Sequence, residues 1–453
     1  MKKKVLYVVH NHPAFSPGGA EIYALDVYEQ MKSSQDFEPV LLARTGPQNG
    51  LRGWPHPGLR LARFNSDPNQ YLIYSDPTEF DWFYGVSRTK DLVVRHYREF
   101  LLAIQPDVVH FQHTAGLGYD LIRETRNTLP NAAIVYTLHE YLPICLHDGQ
   151  MVRRRSLELC RGESPAACRQ CYPDTPASSF FLRKHFIQSH FRLVDLFLSP
   201  SRFLRDRYIE WGIPEDKIVF EENGRPLGAA VACQARPVRN RLAFFGQLGV
   251  YKGVDVLLKA MRLLGGAGWG NVFEKGSPHL WLHGANLEHQ PEVFRNTVEQ
   301  LLGATRKNVT MVGRYRQDEL PRLMRDIDWV VIPSIWWENS PLVIQEAYAN
   351  GRPVICSDIG GMAEKVKDGV TGLHFRTGDA TALAEVIERA VATEGLWDRL
   401  NSGIPRVYGI APASGNLAKM YRALLSPRSS KCGGAQSEKS SKPAPKLVQE
   451  SAG

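Results

Sequence analysis

Short apolar, β-branched runs alternate with helical patterns along most of this chain, and the alternation comes in two successive series. In the first, residues 5–9, 39–43, 107–111, 133–138 and 193–199 read as strands. In the second, 241–246, 279–283, 309–312, 329–333, 353–356 and 372–375 do. Strands that are apolar without alternation are buried on both faces, and helices between them supply the cover, so each series specifies a parallel α/β sheet. The segment 224–240 holds Gly, Pro, Ala and Arg without periodicity and marks the joint. The expected division is a first domain over 1–212, a linker over 213–240 and a second domain over 241–404. A C-terminal helix within 405–426 and a disordered tail over 427–453 complete it.

A length of 453 residues allows two or three domains. The net charge of +8 is concentrated at the ends. Lys2, Lys3 and Lys4 carry three charges, and the tail, with five basic and two acidic residues, carries three more. The folded body is left with about +2, too little for the dense basic stripe that nucleic acid requires. The basic start resembles the head of a signal peptide, but the apolar run 5–9 is short and His10, Asn11 and His12 interrupt it. No apolar run approaches the roughly 20 residues that span a bilayer. The expectation is a cytoplasmic protein.

The most specific constellation is Glu338-Asn339-Ser340-Pro341-Leu342-Val343-Ile344-Gln345-Glu346. It follows the strand 329–333, and the carboxyl ends of strands face the ligand crevice in open α/β sheets. A helix starts there, with Ser340 as expected N-cap and Pro341 as first helical residue. Its free N–H groups and dipole suit a diphosphate. Glu338 at the mouth and Glu346 one turn in can accept hydrogen bonds from sugar or ribose hydroxyls; equally, they can be a helix-start Glu and a solvated helix Glu. Lys252 lies between the strand 241–246 and a helix opened by Gly253, where a cation can pair with phosphate or stay solvated. Gly18-Gly19-Ala20-Glu21 follows the first strand; paired glycines let a backbone approach a ligand, though no G-x-G-x-x-G dinucleotide pattern is present. His139, in Thr137-Leu138-His139-Glu140, ends a strand at the same kind of edge.

With these residues the chain resembles the retaining GT-B glycosyltransferases, the large group with a Glu-x7-Glu motif. The match runs in chain order through Gly18-Gly19-Ala20-Glu21, His139, Ser199-Pro200-Ser201, Lys252-Gly253, Gly313-Arg314-Tyr315 and Glu338 through Glu346. The resemblance implies an acceptor domain at the amino end and a donor domain after the linker. It implies that Lys252 and the amides of Ser340, Leu342 and Val343 hold the donor diphosphate. Glu346 would bind ribose, Glu338 the donor sugar, and His139 the sugar near its anomeric centre, with Gly18 and Gly19 facing them from the opposite domain. The family usually has Arg where this chain has Gln247, which donates a hydrogen bond without charge; Arg314 or Arg241 could stand in for it. The reading is transfer from a nucleoside-diphosphate sugar to a glycan, lipid-linked or small-molecule acceptor, in polysaccharide or glycoconjugate biosynthesis. A sugar-nucleotide epimerase and a binding protein without turnover are the alternatives.

Three further features are weighed separately. Asp326-Ile327-Asp328 has the form of a metal-binding D-x-D, but it precedes a strand, away from the crevice, and is read as structural. Cys145, Cys160, Cys168 and Cys171 cluster in an insert over about 145–176. Their spacing suits a structural Zn or an iron–sulfur cluster, or four unlinked thiols. The aromatic and basic stretch 180–191, near Arg153-Arg154-Arg155, reads either as a core helix or as a peripheral contact with the inner face of a membrane.

Overall fold

A computed structural model of the chain describes residues 2–47, 60–64, 66–226, 228, 236–266 and 276–426. The expected tail lies outside them. The first sheet contains β1 (Lys3–Val9), β2 (Phe37–Thr45), β3 (Leu61–Arg63) and β4 (Gln70–Tyr74). After a short hairpin of β5 (Phe80–Asp81) and β6 (Val86–Ser87), it continues with β7 (Val108–Phe111), β8 (Ala133–Thr137), β9 (Leu196–Ser199) and β10 (Ile218–Phe220). The order is β10-β9-β8-β7-β1-β2-β4-β3, parallel except where β3 pairs with β4. The second sheet has β11 (Arg241–Gln247), β12 (His279–Ala285), β13 (Val309–Gly313), β14 (Trp329–Ile332), β15 (Val354–Ser357) and β16 (Gly372–Phe375). Its order, β13-β12-β11-β14-β15-β16, is parallel throughout.

Each sheet is sandwiched, as the apolar runs require. Leu6 and Val8 face one layer of helices and Val5, Tyr7 and Val9 the other, all fully buried. At roughly 25 cal/mol per Å² of apolar area, such two-sided burial is the main force holding each sheet to its helices. The order reverses at β1/β7 in the first sheet and at β11/β14 in the second, so crevices open at the carboxyl ends of these strands.

The joint is shorter than the expected 213–240, because Ile218–Phe220 joins the first sheet beside β9. A three-residue strand carries too little periodicity to be read from composition. The last helix, Ile410–Leu425, falls within the expected 405–426 and packs on the first domain. Its Leu417 and Tyr421 are fully buried with Val5 and Tyr7, and Tyr421 Oη lies 2.6 Å from His110 Nδ1. The chain thus crosses the joint twice. The two crossings bond to each other, Arg225 N donating to Tyr408 O at 3.0 Å and Ile410 N to Arg225 O at 2.8 Å.

Candidate active site

The loop after β14 carries Glu338. This carboxylate is buried, and its Oε1 accepts from Lys252 Nζ at 2.5 Å, Ser334 Oγ at 2.8 Å and Trp336 Nε1 at 2.9 Å. Gly253 makes this meeting possible. It has φ +66, and a Cβ there would lie 1.9 Å from Pro333 O, so only glycine lets the Lys252 loop lie against the Glu338 loop. The backbone bond from Ile335 N to Tyr251 O, 2.9 Å, fixes the same approach. On the other side Gly361 N donates to Glu338 O at 2.8 Å, and a Cβ on Gly361 would lie 1.6 Å from Asn339 O.

The helix that follows is Leu342–Ala349, with Pro341 at the N-cap position and no side-chain cap. Ser340 is therefore not the cap; its buried Oγ has no partner among the described residues. Pro341, at φ −59 and ψ 117, is still extended and pushes the start of the helix one residue on. Leu342 and Val343 begin the helix, where amides have no intrahelical acceptor. Gly19 lies opposite: a Cβ there would sit 3.7 Å from Leu342 Cδ1. The Gly18–Gly19 start of the first helix and the start of the Leu342 helix thus face each other across the cleft.

Glu346 points to the joint. Its carboxylate accepts from Arg225 Nη2 at 3.1 Å and from Gln317 Nε2. Arg225 also donates from Nη1 to Asp26 Oδ2 at 2.6 Å, so one guanidinium ties the first helix to Glu346 in the second half of the chain. Burial raises the pKa of both carboxylates, Asp26 to about 6, while Arg225 opposes the rise.

On the first sheet, His139 Nε2 lies 3.0 Å from Gln112 Oε1, and its ring meets the edge of Tyr23 at 5.7 Å. Burial, with His10 adding, lowers its pKa to about 3, so the imidazole is neutral. The His10 and His113 rings lie 4.0 Å apart, tilted by 34°; His10 Nε2 reaches Glu21 at 3.0 Å and His113 Nε2 reaches Glu140 at 3.4 Å. Burial pushes Glu140 up to about 8. These groups follow β1, β7 and β8 directly, so one sheet edge gathers a hydrogen-bonding patch of imidazoles, an amide and carboxyls. Two direct bonds link the halves here: Ser201 Oγ donates to Asn339 Oδ1 at 2.7 Å, and Asn339 Nδ2 to Leu138 O at 3.3 Å.

Residues 17–227 match the family described as Glycosyltransferase Family 4, and residues 239–393 match Glycosyl transferases group 1. The chain is 33% identical over 446 residues to a D-inositol 3-phosphate glycosyltransferase of Nocardioides sp., covering 89% of this chain and 85% of that one. The chain belongs to the family 4 glycosyltransferases. A D-inositol 3-phosphate glycosyltransferase of Salinispora arenicola is 30% identical, over 90% of this chain and 91% of its own. Among solved structures, sucrose-phosphate synthase of Thermosynechococcus elongatus aligns with TM-score 0.68 at 18% identity, covering 94% of this chain and 99% of that one. Anabaena HepE, solved with UDP and glucose, aligns with TM-score 0.62 at 16% identity, covering 93% and 100%. These two share the GT-B fold of this glycosyltransferase.

Within the glycosyltransferase, Gln247 is exposed at the carboxyl end of β11. Arg241, considered as its substitute, opens the same strand and stacks on Trp281 at 4.5 Å. Six residues of strand, about 20 Å, separate the two, so Arg241 cannot serve there. Arg314 pairs with Glu288 at 3.2 Å on the surface. Asp328 holds Arg239 at 3.3 Å and the Arg241 amide at 3.0 Å, and Asp326 holds Arg236, so the D-x-D is structural as expected.

The four cysteines of the insert are free and half-buried. Burial raises the Cys145 thiol to about 12 and Cys168 to about 11, Cys160 adding to both. Among the described residues no three His, Cys, Asp or Glu side chains are placed to hold a metal. Cys168 and Cys171 share the helix Pro165–Cys171, and Cys160 Sγ faces Gly162 O at 3.2 Å. The aromatic stretch forms the helix Ala177–Phe191, whose Phe180, Ile187 and Phe191 enter the core while Phe181 and Leu182 are exposed. No helix of the described residues is long and apolar enough to cross a membrane.

The sequence reading missed Arg225, Asp26, His10, Gln112, His113, Glu140 and Gly361. Strand-end position was the available signal for His10, Gln112, His113 and Glu140. Arg225 had none, since its segment was read as a linker.

Proposed function

We propose that this glycosyltransferase moves a sugar from a nucleoside-diphosphate sugar to an acceptor hydroxyl with retention of anomeric configuration, in glycan or glycoconjugate assembly. The observation that carries the reading is the Lys252–Glu338 pair set against the start of the Leu342–Ala349 helix. Breaking the bond between sugar and diphosphate builds negative charge on phosphate. Lys252 and the Leu342 and Val343 amides are preorganised donors for that charge, and such groups carry much of the catalysis in transfers of this kind. Glu338, released when Lys252 turns to phosphate, is left to accept from sugar hydroxyls. The neutral His139 can donate or accept beside them without competing for phosphate as a cation would. Glu346 is the carboxylate for ribose, exchanging its Arg225 and Gln317 bonds for hydroxyls. Retention is supported by the resemblance of the Glu338–Glu346 segment to the retaining group. A nucleotide donor is supported by the UDP complexes of HepE and by the sequence relatives.

The test is product analysis. Purified protein with a panel of UDP- and GDP-sugars should release nucleoside diphosphate in an acceptor-dependent way, and proton NMR of the product should show the donor's anomeric configuration. An inverted anomer would overturn retention, and sugar isomerisation without acceptor would overturn transfer. Lys252→Ala should lower kcat by two orders of magnitude or more, the scale of removing one preorganised charge donor, about 3 kcal/mol.

A further inference from the structure

The insert between β8 and the Ala177–Phe191 helix builds a second polar site. Residues 151–160 form a hairpin, closed by bonds from Arg153 N to Glu158 O at 2.8 Å and from Cys160 N to Met151 O at 2.7 Å. It packs on the short helix Pro165–Cys171 through Arg153 Nη1 to Gln170 Oε1 at 2.7 Å. Between them lies a cavity of about 710 Å³ walled by Arg153, Arg154, Arg155 and Arg169, with Glu158 as its one carboxylate. Among the described residues none of the four guanidiniums is in an ion pair, and Glu158 bonds Ser156 instead. Other surface arginines are paired, as Arg126 is with Asp195 and Arg205 with Glu215, but here four guanidiniums without a carboxylate partner line one concavity. Like charges around one concavity repel one another, and two of them are held in place by other contacts: Arg154 lies 4.6 Å over the Tyr172 ring and donates to Cys171 O at 3.4 Å, and Arg153 donates to Gln170. The backbone of the insert is strained: Asp148, Met151 and Leu157 all have φ between +46 and +57. Strain of this kind marks places where conformation is held for a purpose. The hairpin is also wired to the donor half. His147 lies 3.0 Å from Val152 O through Nδ1 and 3.0 Å from Tyr251 Oη through Nε2, and Tyr251 adjoins Lys252.

We infer that this cavity binds a phosphate-bearing group of the acceptor. Planar guanidiniums match phosphate oxygens in bidentate geometry, and several on one wall select a multiply charged anion over a single carboxylate. The volume lies within the range of about 300–1,000 Å³ typical of small-molecule sites and so admits more than a bare phosphate. Assignment to the acceptor rests on the transferase reading above; the binding itself does not. A ligand seated here would pull the hairpin, and through His147 the Tyr251–Lys252 turn, toward one position.

The experiment is calorimetry on the full chain with saturating UDP, which occupies any donor diphosphate site, and inorganic pyrophosphate as probe. Pyrophosphate should bind, more weakly as salt rises. The double substitution Arg154→Gln, Arg155→Gln should weaken binding by about tenfold or more, one lost charged hydrogen bond being worth that much. Glu158→Gln, which removes the opposing charge, should tighten it. UDP affinity should be unchanged in both variants. A parallel arm measures sedimentation with phosphatidylcholine vesicles with and without phosphatidylglycerol. Arginine-dependent binding of the anionic vesicles but not of pyrophosphate assigns the phosphate to a lipid headgroup; pyrophosphate binding assigns it to a soluble acceptor. If neither probe binds, or both bind regardless of the arginines, the inference is overturned. Absent UDP binding with intact pyrophosphate binding would instead count against the transferase reading alone.

Discussion

Replacing Arg225 with Ala tests a buried charge arrangement that joins the two halves. Its guanidinium is only 9% exposed at the side chain and sits between Asp26, at 2.6 Å and 20% exposed, and Glu346, at 3.1 Å and 12% exposed. Removal leaves two carboxylates facing each other across the joint without a cation. Breaking a buried pair by deleting one partner typically destabilises by about 3–5 kcal/mol. Two partners are orphaned here, but protonation relieves part of the penalty, because Asp26 already titrates at about 6 with Arg225 present. The sign follows from that direction. A carboxyl whose folded pKa is raised binds a proton that the unfolded chain has lost, so the folded state weakens as pH rises through the window between the two values. Arg225→Ala should therefore be more destabilised at pH 8 than at pH 5, by about 1–2 kcal/mol of differential effect. Urea unfolding followed by fluorescence at both pH values measures it. Adding Asp26→Asn to Arg225→Ala should recover much of the loss. Equal destabilisation at both pH values, or no recovery in the double variant, would refute the electrostatic account and leave only lost packing of the arginine stem.

Gly361→Ala should lower stability by more than about 3 kcal/mol and weaken nucleotide binding, since a Cβ would meet Asn339 O at 1.6 Å and displace the Glu338 loop; an unshifted melting temperature would contradict it. Glu346→Gln should weaken donor binding by roughly 1.5–3 kcal/mol, and a 2′-deoxyribose donor should then lose little further; undiminished discrimination in the variant would remove Glu346 from the ribose site. Gln247→Arg should tighten nucleoside diphosphate binding in low-salt calorimetry if that side chain faces phosphate, and no change would exclude it. Stability should fall steeply as pH drops from about 6.5 toward 3, because His110, His113 and His139 are buried neutral while their unfolded counterparts take up protons. Three protons give at most about 4 kcal/mol per pH unit, offset in part by Glu140; a flat acid limb in urea unfolding would refute it.

What the sequence disclosed follows from where the governing interactions lie along the chain. The eleven strands read from apolar runs all form, because burial on both faces is written into each run locally. β3, β4 and β10 escaped because they are short and lie toward the sheet edges, where only pairing decides that they are strands: β4 with β2, β3 with β4 and β10 with β9. The Lys252 turn and the Glu338 loop were legible singly, since each ends a strand. Their contact depends on Gly253 beneath Pro333, which couples residues eighty apart and leaves only a glycine in the sequence. Arg225 was invisible for a sharper reason. Its partners come from the first helix and from Glu346, and nothing local separates an arginine that clamps two domains from one on a solvated linker.

That distinction bears on how the two halves work together. Several polar pairs at the cleft use a group that a substrate could also claim, beside links such as the Arg202 and Phe203 amides to Glu364 that join the halves independently. Glu338 is held by Lys252, Glu346 by Arg225, and Asn339 by Ser201 and the Leu138 carbonyl. A diphosphate that takes Lys252 frees Glu338, and a ribose that takes Glu346 loosens the Arg225 bridge to Asp26. On the proposed reading, donor binding would exchange protein–protein bonds for protein–ligand bonds of similar kind, and its net free energy would be smaller than the contacts alone suggest. On the same reading, a ligand that breaks the Arg225–Glu346 bond without replacing the charge would leave Arg225 with Asp26 as its carboxylate partner, beside the two chain crossings at Arg225 and Tyr408, so the donor's arrival would be felt there by the first domain.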